Sequence, residues 1–340
     1  MSELKIAIIG AGWVAQIAHL PAWAKFNNVK ILAIADVDEG KASKVADKFN
    51  IPNVCTDIAE VLEKVPEIDA VDICTSTGSH FAIAQAALLA EKHVIVEKPL
   101  ATTSKEAKRL VNIAKERNKK LLVAMNHRFR PDSMILKSFI QGNEIGKIFY
   151  ARTGWLKPKP KDFDSQWQTS THISGGGVFM DTGIHVLDLS WWLMGNPNPV
   201  SVSASIWKNG KTPAPNEAED SAVVYIKFDD DSSITVETGW TFNIEYDLIN
   251  TNFFGTSGSA ILNPLRIYKN LHGQVVNVTP VGKTATKNLF KDSYTYEIGH
   301  FIEVLLTDKE SYSKPEDAVK RLQIIEAIYD SGRNGKEIKF

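Results

Sequence analysis

Five short apolar segments, at residues 5–9, 30–35, 70–74, 93–96 and 120–124, recur through the first 125 residues, with amphipathic stretches between them. The helical candidates are residues 14–25, 40–48, 58–64, 79–90 and 104–117. Parallel strands cannot be joined by a tight turn, so each return to the sheet needs a crossover, usually a helix. Strands that alternate with helices therefore specify a parallel sheet covered on both faces and wound by right-handed crossovers. The unbroken run Val94-Ile95-Val96 agrees, because a strand buried on both faces has no polar alternation.

The pattern changes after residue 125. Longer segments of apolar-polar alternation follow at residues 148–155, 200–207, 221–228, 233–242 and 248–254, with helical candidates at 178–194, 294–306 and 316–331. Asp229-Asp230-Asp231-Ser232 between two of the strands is a hairpin signal. The expectation is an α/β chain of two domains, residues 1–125 and 126–340, the second built on an antiparallel sheet. A length of 340 residues suits two cores. A net charge of -1 argues against nucleic acid or an anionic membrane as partner. Two cysteines without a spaced framework, a first strand in place of a leader, and no long apolar run together predict a cytoplasmic protein.

Gly10-Ala11-Gly12-Trp13-Val14-Ala15 ends the first strand and opens a helix. Gly10 permits the tight turn, Gly12 lets a pyrophosphate approach the backbone, and Ala15 keeps the helix close to the sheet. The free amides of that helix end, including those of Trp13 and Val14, would face phosphate. Asp36 closes the second strand, where an acid accepts from ribose hydroxyls and repels a 2′-phosphate. Val37-Asp38-Glu39 brings no cation, so NAD is expected over NADP. Thr75-Ser76-Thr77-Gly78-Ser79-His80 offers small hydroxylated residues beside the same site; His80 reads equally as ligand contact or first-turn helix residue.

Glu97-Lys98-Pro99 ends the fourth segment. Side chains at such a strand end face the crevice where doubly wound sheets hold ligands. Lys98 there can donate charged hydrogen bonds to a substrate oxygen, although a solvated Glu-Lys pair is the plainer reading. The Lys98–Pro99 peptide is expected to be cis.

In the second half, Gly175-Gly176-Gly177 precedes a helical run with Asp181, His185 and Asp188 at i, i+4 and i+7. An acid one turn before a histidine suits a general base. A zinc pair completed by His172 and a satisfied core histidine are the alternatives; no metal is expected. Trp155 and Trp167 are candidates to stack on a sugar ring, among several tryptophans that serve the core. Lys157-Pro158-Lys159-Pro160-Lys161 reads as a solvated basic loop.

These motifs, in this order, resemble the Gfo/Idh/MocA oxidoreductases along nearly the whole chain. The resemblance rests on Gly10-Ala11-Gly12, on residues 74–80, on Glu97-Lys98-Pro99-Leu100-Ala101, on residues 175–188 and on the closing segments 315–318 and 325–331. The chain has Ser76-Thr77 where the family usually has Pro-Asn, and Gln168 where an arginine is common. The resemblance implies a Rossmann domain followed by an α+β domain with an open, mainly antiparallel sheet whose exposed face builds dimers or tetramers. It implies catalytic Lys98, Asp181 and His185, with Glu97 near the nicotinamide ribose. Reversible oxidation of a secondary hydroxyl on a sugar, cyclitol or polyol is the expected reaction. NAD-dependent glycosidases and non-catalytic sensors are the family's other possibilities.

Overall fold

The computed structural model describes residues 3–159, 175–214, 217–281, 288–307 and 309–340. Two compact units result: Met1–Phe129 with Asn288–Lys320, and Arg130–Lys287 with Arg321–Phe340.

The first unit is a six-stranded parallel sheet of β1 (Leu4–Ile9), β2 (Val29–Ala35), β3 (Asn53–Cys55), β4 (Ala70–Ile73), β5 (His93–Glu97) and β6 (Leu121–Ala124). Its order is β3-β2-β1-β4-β5-β6. The order reverses between β1 and β4, which is the switch point where such sheets bind ligands. Central strands are enclosed on both faces: Ile6, Ala7 and Ile8 of β1 and Val94, Ile95 and Val96 of β5 are all fully buried. β3, only three residues long, escaped the sequence reading because so short a run carries no period.

Helix starts are set by short polar side chains. Asp38, Asp57 and Thr103 each accept a backbone N–H three residues on, capping the helices Glu39–Phe49, Ile58–Lys64 and Ser104–Glu116. The helical segment 15–23 differs, since its first turn, Ala15–His19, is π-helical.

The compact units depart from the expected division at residues 125/126. The helix Leu289–Leu306 packs with the first unit, because its buried Tyr294, Ile298, Phe301, Ile302 and Val304 join the core of Leu4, Ile6, Ile8 and Phe129. Each such side chain stabilises by about 1.5–3 kcal/mol on full burial, enough to outweigh its distance along the chain.

The second unit is a nine-stranded sheet. Its strands are β7 (Ile148–Pro158), β8 (Pro199–Trp207), β9 (Ser221–Phe228), β10 (Ser233–Phe242), β11 (Leu248–Gly255), β12 (Gly258–Leu262), β13 (Arg266–Leu271), β14 (Gln274–Asn277) and β15 (Ile338–Lys339). The order is β14-β13-β12-β11-β7-β10-β9-β8-β15. All its pairings are antiparallel except β7 with β10. Strand alternation assigns the faces. Ala222, Val224, Ile226 and Phe228 of β9 are buried, while Val223 and Tyr225 are exposed. The helix Ile184–Leu193 packs on the buried face, against β7 and β10. The chain is thus α/β, a Rossmann-type parallel sheet joined to a unit with a mostly antiparallel sheet.

Candidate active site

The carboxyl ends of parallel strands lie on one edge of a sheet, so β1, β2, β4 and β5 deliver Gly10, Asp36, Thr75 and Lys98 to the same edge of the first unit. Gly10 has φ +99°, and a Cβ there would lie 2.7 Å from the Cys74 carbonyl oxygen. Only glycine allows that turn. Trp13 stands exposed beside it at 68%, its ring 6.0 Å from that of Phe290. Gly12 and Val14 are half-buried in the same turn.

Asp36 is held on three sides. It accepts the Ala11 amide at 2.8 Å and the Asp38 amide at 3.0 Å, and it pairs with Lys41 Nζ at 2.7 Å. Burial pushes its pKa up, but the Lys41 bond and the two amides bring it below the ordinary value. Lys41 lies beyond the three residues that follow Asp36 in sequence, and the first turn of the capped helix Glu39–Phe49 carries it back. Asp36→Ala is expected to raise kcat/KM for NADP by roughly 10–100-fold, the worth of one charged contact. Lys41 would then face the 2′-phosphate, so adding Lys41→Ala should cancel the gain. An unchanged NAD/NADP ratio in Asp36→Ala would remove Asp36 from ribose recognition.

On the next loop Ser76 is exposed and Thr75 half-buried, with Ser79 Oγ donating to Thr75 Oγ1 at 2.8 Å. His80 is 1% exposed, with Nδ1 2.8 Å from the Pro99 carbonyl and Nε2 3.1 Å from the Thr75 carbonyl. Both ring nitrogens lie within hydrogen-bond distance of main-chain carbonyls, and the single N–H of the neutral ring can donate to one of them, so the geometry makes His80 a tie to these loops. Burial keeps its pKa low.

Lys98 follows Glu97 at the end of β5 and is half-buried, and the Lys98–Pro99 peptide is cis, as expected. Glu97 is almost fully buried. Its Oε1 accepts from His19 Nε2 at 3.0 Å and Tyr294 Oη at 3.1 Å, and its Oε2 accepts the Lys98 amide at 2.9 Å.

In the second unit, Asp181 lies in a π-helical turn, Phe179–Gly183, that continues into the helix Ile184–Leu193. Burial divides the three residues expected on one face. Asp181 and His185 are half-buried, whereas Asp188 is fully buried and paired with Arg321 at 2.5 Å. Asp188 therefore anchors the helix instead of sharing the exposed face. The turn is tied to the sheet by Thr182 Oγ1 and Thr238 Oγ1, 2.8 Å apart.

Alternation along β7 places Trp155 on the face of Ala151 and Thr153, the one that the helix covers. Its ring lies 6.4 Å from that of His185, its Nε1 donates to Asp247 at 2.9 Å, and Lys157 Nζ sits 5.3 Å from its centroid. Trp167 and His172, also expected at the substrate, lie outside the described residues, as does Gln168.

The glycine run is shaped by a carboxyl group that sequence reading overlooked. Glu219 is buried and accepts from the Gly177 amide at 3.0 Å, the Phe179 amide at 2.8 Å and Tyr329 Oη at 3.1 Å. A Cβ on Gly177 would lie 2.0 Å from the Glu219 carbonyl oxygen. Burial outweighs these donors and pushes the carboxyl up to about 7, from an ordinary 4.5. The folded protein thus keeps a proton that the unfolded chain releases. The linked stability is full below about pH 4.5 and is lost as pH rises through about 7, amounting to roughly 3 kcal/mol at most. In Glu219→Gln the fall of the thermal midpoint between pH 5 and 8 should be smaller than in the parent. Equal slopes would show that Glu219 does not titrate there.

A dinucleotide turn, an acid at the end of β2 and a strand-end lysine on a doubly wound sheet define an NAD-binding oxidoreductase fold. Residues 4–125 match the Gfo/Idh/MocA oxidoreductase family, NAD-binding Rossmann fold, and residues 137–340 match the family's C-terminal alpha/beta domain. The chain belongs to this family and is an oxidoreductase. It is 28% identical to D-glucoside 3-dehydrogenase of Escherichia coli (strain K12), across 99% of this chain and 98% of that one. It is equally 28% identical to scyllo-inositol 2-dehydrogenase (NAD(+)) of Bacillus subtilis (strain 168), across 99% and 96%. The solved structure of levoglucosan dehydrogenase in complex with NADH and L-sorbose superposes with a TM-score of 0.88 at 24% identity, covering 100% of this chain and 99% of that one.

Proposed function

We propose that this protein is an NAD-dependent dehydrogenase that oxidises a secondary hydroxyl of a sugar, cyclitol or related polyol. The observation that carries the reading is the half-buried His185 beside the Trp155 ring, with Lys157 against the same indole. An aromatic face next to a base suits the apolar side of a sugar ring. The names of the relatives, which are dehydrogenases of glucosides and inositols, point the same way.

The residues present fit the cofactor. The Gly10 turn leaves the backbone bare where a side chain would strike Cys74, and the Asp36 carboxylate stands at the end of β2. Gly10, Gly12, Trp13 and Val14 would hold the pyrophosphate, and Asp36 the adenosine ribose. Thr75, Ser76 and Glu97 would line the remainder, with His80 shaping their loop. Bound NAD supplies the hydride acceptor. His185 would take the hydroxyl proton, with Asp181 orienting its ring, while Lys98 would donate to the oxygen as it becomes an alkoxide. Trp155 would position the substrate, and Trp167 and His172 are further candidates for contact with it.

The exposed face of the second unit's sheet carries Phe149, Val223, Tyr225 and Phe254, each at least 40% exposed. An apolar surface of this kind supports self-association into a dimer or tetramer. The buried free thiols Cys55 and Cys74 suit a reducing cytoplasm. Among the described residues no helix is long and apolar enough to cross a membrane.

The test is NADH formation across a panel of sugars, cyclitols and sugar acids. Stoichiometric NADH with a keto product is expected. Sugar release without net NADH would indicate glycosidic cleavage by transient oxidation, and binding without turnover would indicate a sensor.

A further inference from the structure

Beneath the strand-end lysine, the first unit buries more ionisable groups than the reaction above employs. His19 is fully buried, with Nδ1 2.8 Å from Asp72 Oδ2 and Nε2 3.0 Å from Glu97 Oε1. Trp23 Nε1 also donates to Asp72 Oδ2, at 2.7 Å. A neutral imidazole has one N–H, and only the protonated ring donates at both nitrogens. We propose that His19, an imidazolium bridging Asp72 and Glu97, is a positioning residue that keeps Glu97 the carboxylate fixing the Lys98 main chain. The proposal rests on the reading of Lys98 as the group that meets the reacting oxygen.

All three hydrogen bonds at Glu97 require acceptor oxygens, from His19, Tyr294 and the Lys98 amide. A proton on Glu97 would weaken the hydrogen bonds accepted by the oxygen that carried it. Its ionisation must therefore be defended in a buried site, where a lone carboxylate would take up a proton. The imidazolium provides that defence, and Asp72 on the far side of the ring keeps the imidazole charged.

The other groups facing the ring are consistent with this assignment. Burial alone would lower the His19 pKa, but Asp72 overrides it and holds the ring well above an ordinary histidine. Burial likewise works against Glu97, yet the His19 bond brings its carboxyl below the usual value. Glu297, whose Oε1 accepts the Met125 amide at 2.5 Å, is pushed well up by burial and by Glu97, and so stays a neutral acid. Burial raises the Cys74 thiol to about 12, leaving it protonated. Tyr294 is likewise held as the neutral phenol by burial. The cluster thus carries two carboxylates and one cation, and it ends on the amide from which Lys98 departs.

The test uses the full chain and the best substrate from the panel. In wild-type protein labelled with ¹⁵N-histidine, the His19 ring should remain doubly protonated at pH 7.5, where a free imidazole has lost its charge. A neutral His19 ring at pH 7.5 overturns the proposal. His19→Gln should lower kcat on the order of 10–100-fold, the cost of a misplaced reacting group, with a smaller effect on NAD affinity by fluorescence titration. Because His19 acts through Glu97, His19→Gln/Glu97→Gln should be no slower than Glu97→Gln; multiplying effects count against the proposal. Asp72→Asn keeps the ring but removes its anion, so turnover should fail as pH rises where the parent still works. No alkaline loss in Asp72→Asn would sink the idea even if His19→Gln does not fold. Lys98→Ala separates the two layers. Full activity there removes the underlying reading, whereas an inactive Lys98→Ala beside a fully active His19→Gln removes only the role of His19.

Discussion

Lys98→Ala is expected to lower kcat by about 10²–10³, the usual cost of removing one preorganised donor to a developing oxyanion. The effect should fall on turnover, with NAD affinity largely retained, because the dinucleotide turn at Gly10 and the acid at Asp36 remain in place. The reason is positional. β5 is enclosed on both faces, and at its exit the Lys98 amide donates to Glu97 Oε2 at 2.9 Å. An ammonium leaving so constrained a main chain loses little further entropy when it meets substrate. Lys98→Arg should recover only part of the rate, since a planar fork does not replace a compact point charge. Initial rates of NADH formation measure both variants. Near-normal turnover in Lys98→Ala would remove the lysine from the chemistry.

His185→Ala should be the other severe loss, roughly 10²–10⁴ in turnover, the range for a general base. Half-buried His185 sits on a helix locked by the buried Asp188–Arg321 pair and by the Thr182–Thr238 contact, so the truncation leaves its supports intact. Added imidazole should restore part of the rate in His185→Ala, because the missing group is a base and its site beside Trp155 is partly open. Restoration is not expected in Lys98→Ala. If imidazole rescues neither variant and His185→Ala turns over normally, the base lies elsewhere.

Much of the nucleotide half was legible in the residues. The turn at Gly10, the acid at Asp36 and the strand end at Lys98 follow local rules of period and backbone sterics, and the structure keeps them on one sheet edge. The spacing that linked Asp181 and His185 also drew in Asp188, which is buried and paired with Arg321 instead. The glycine run read only as the segment before a helix; Gly177 answers to Glu219, which meets it from the segment just before β9. Asp72 was the overlooked signal. An acid inside an apolar parallel strand must find partners, and those partners, His19 and Trp23, lie 53 and 49 residues away.

Sequence by itself determined the fold class, the dinucleotide turn and the residue types at the candidate chemistry, because each depends on neighbours within a turn or a strand. Tertiary structure decided what holds those residues. The helix Leu289–Leu306 returns to the first unit, Tyr294 meets Glu97 from 197 residues away, and Glu219 meets Gly177 from 42. Those contacts exist because buried polar groups must be satisfied wherever the chain can reach them. No local pattern encodes which distant segment will do so.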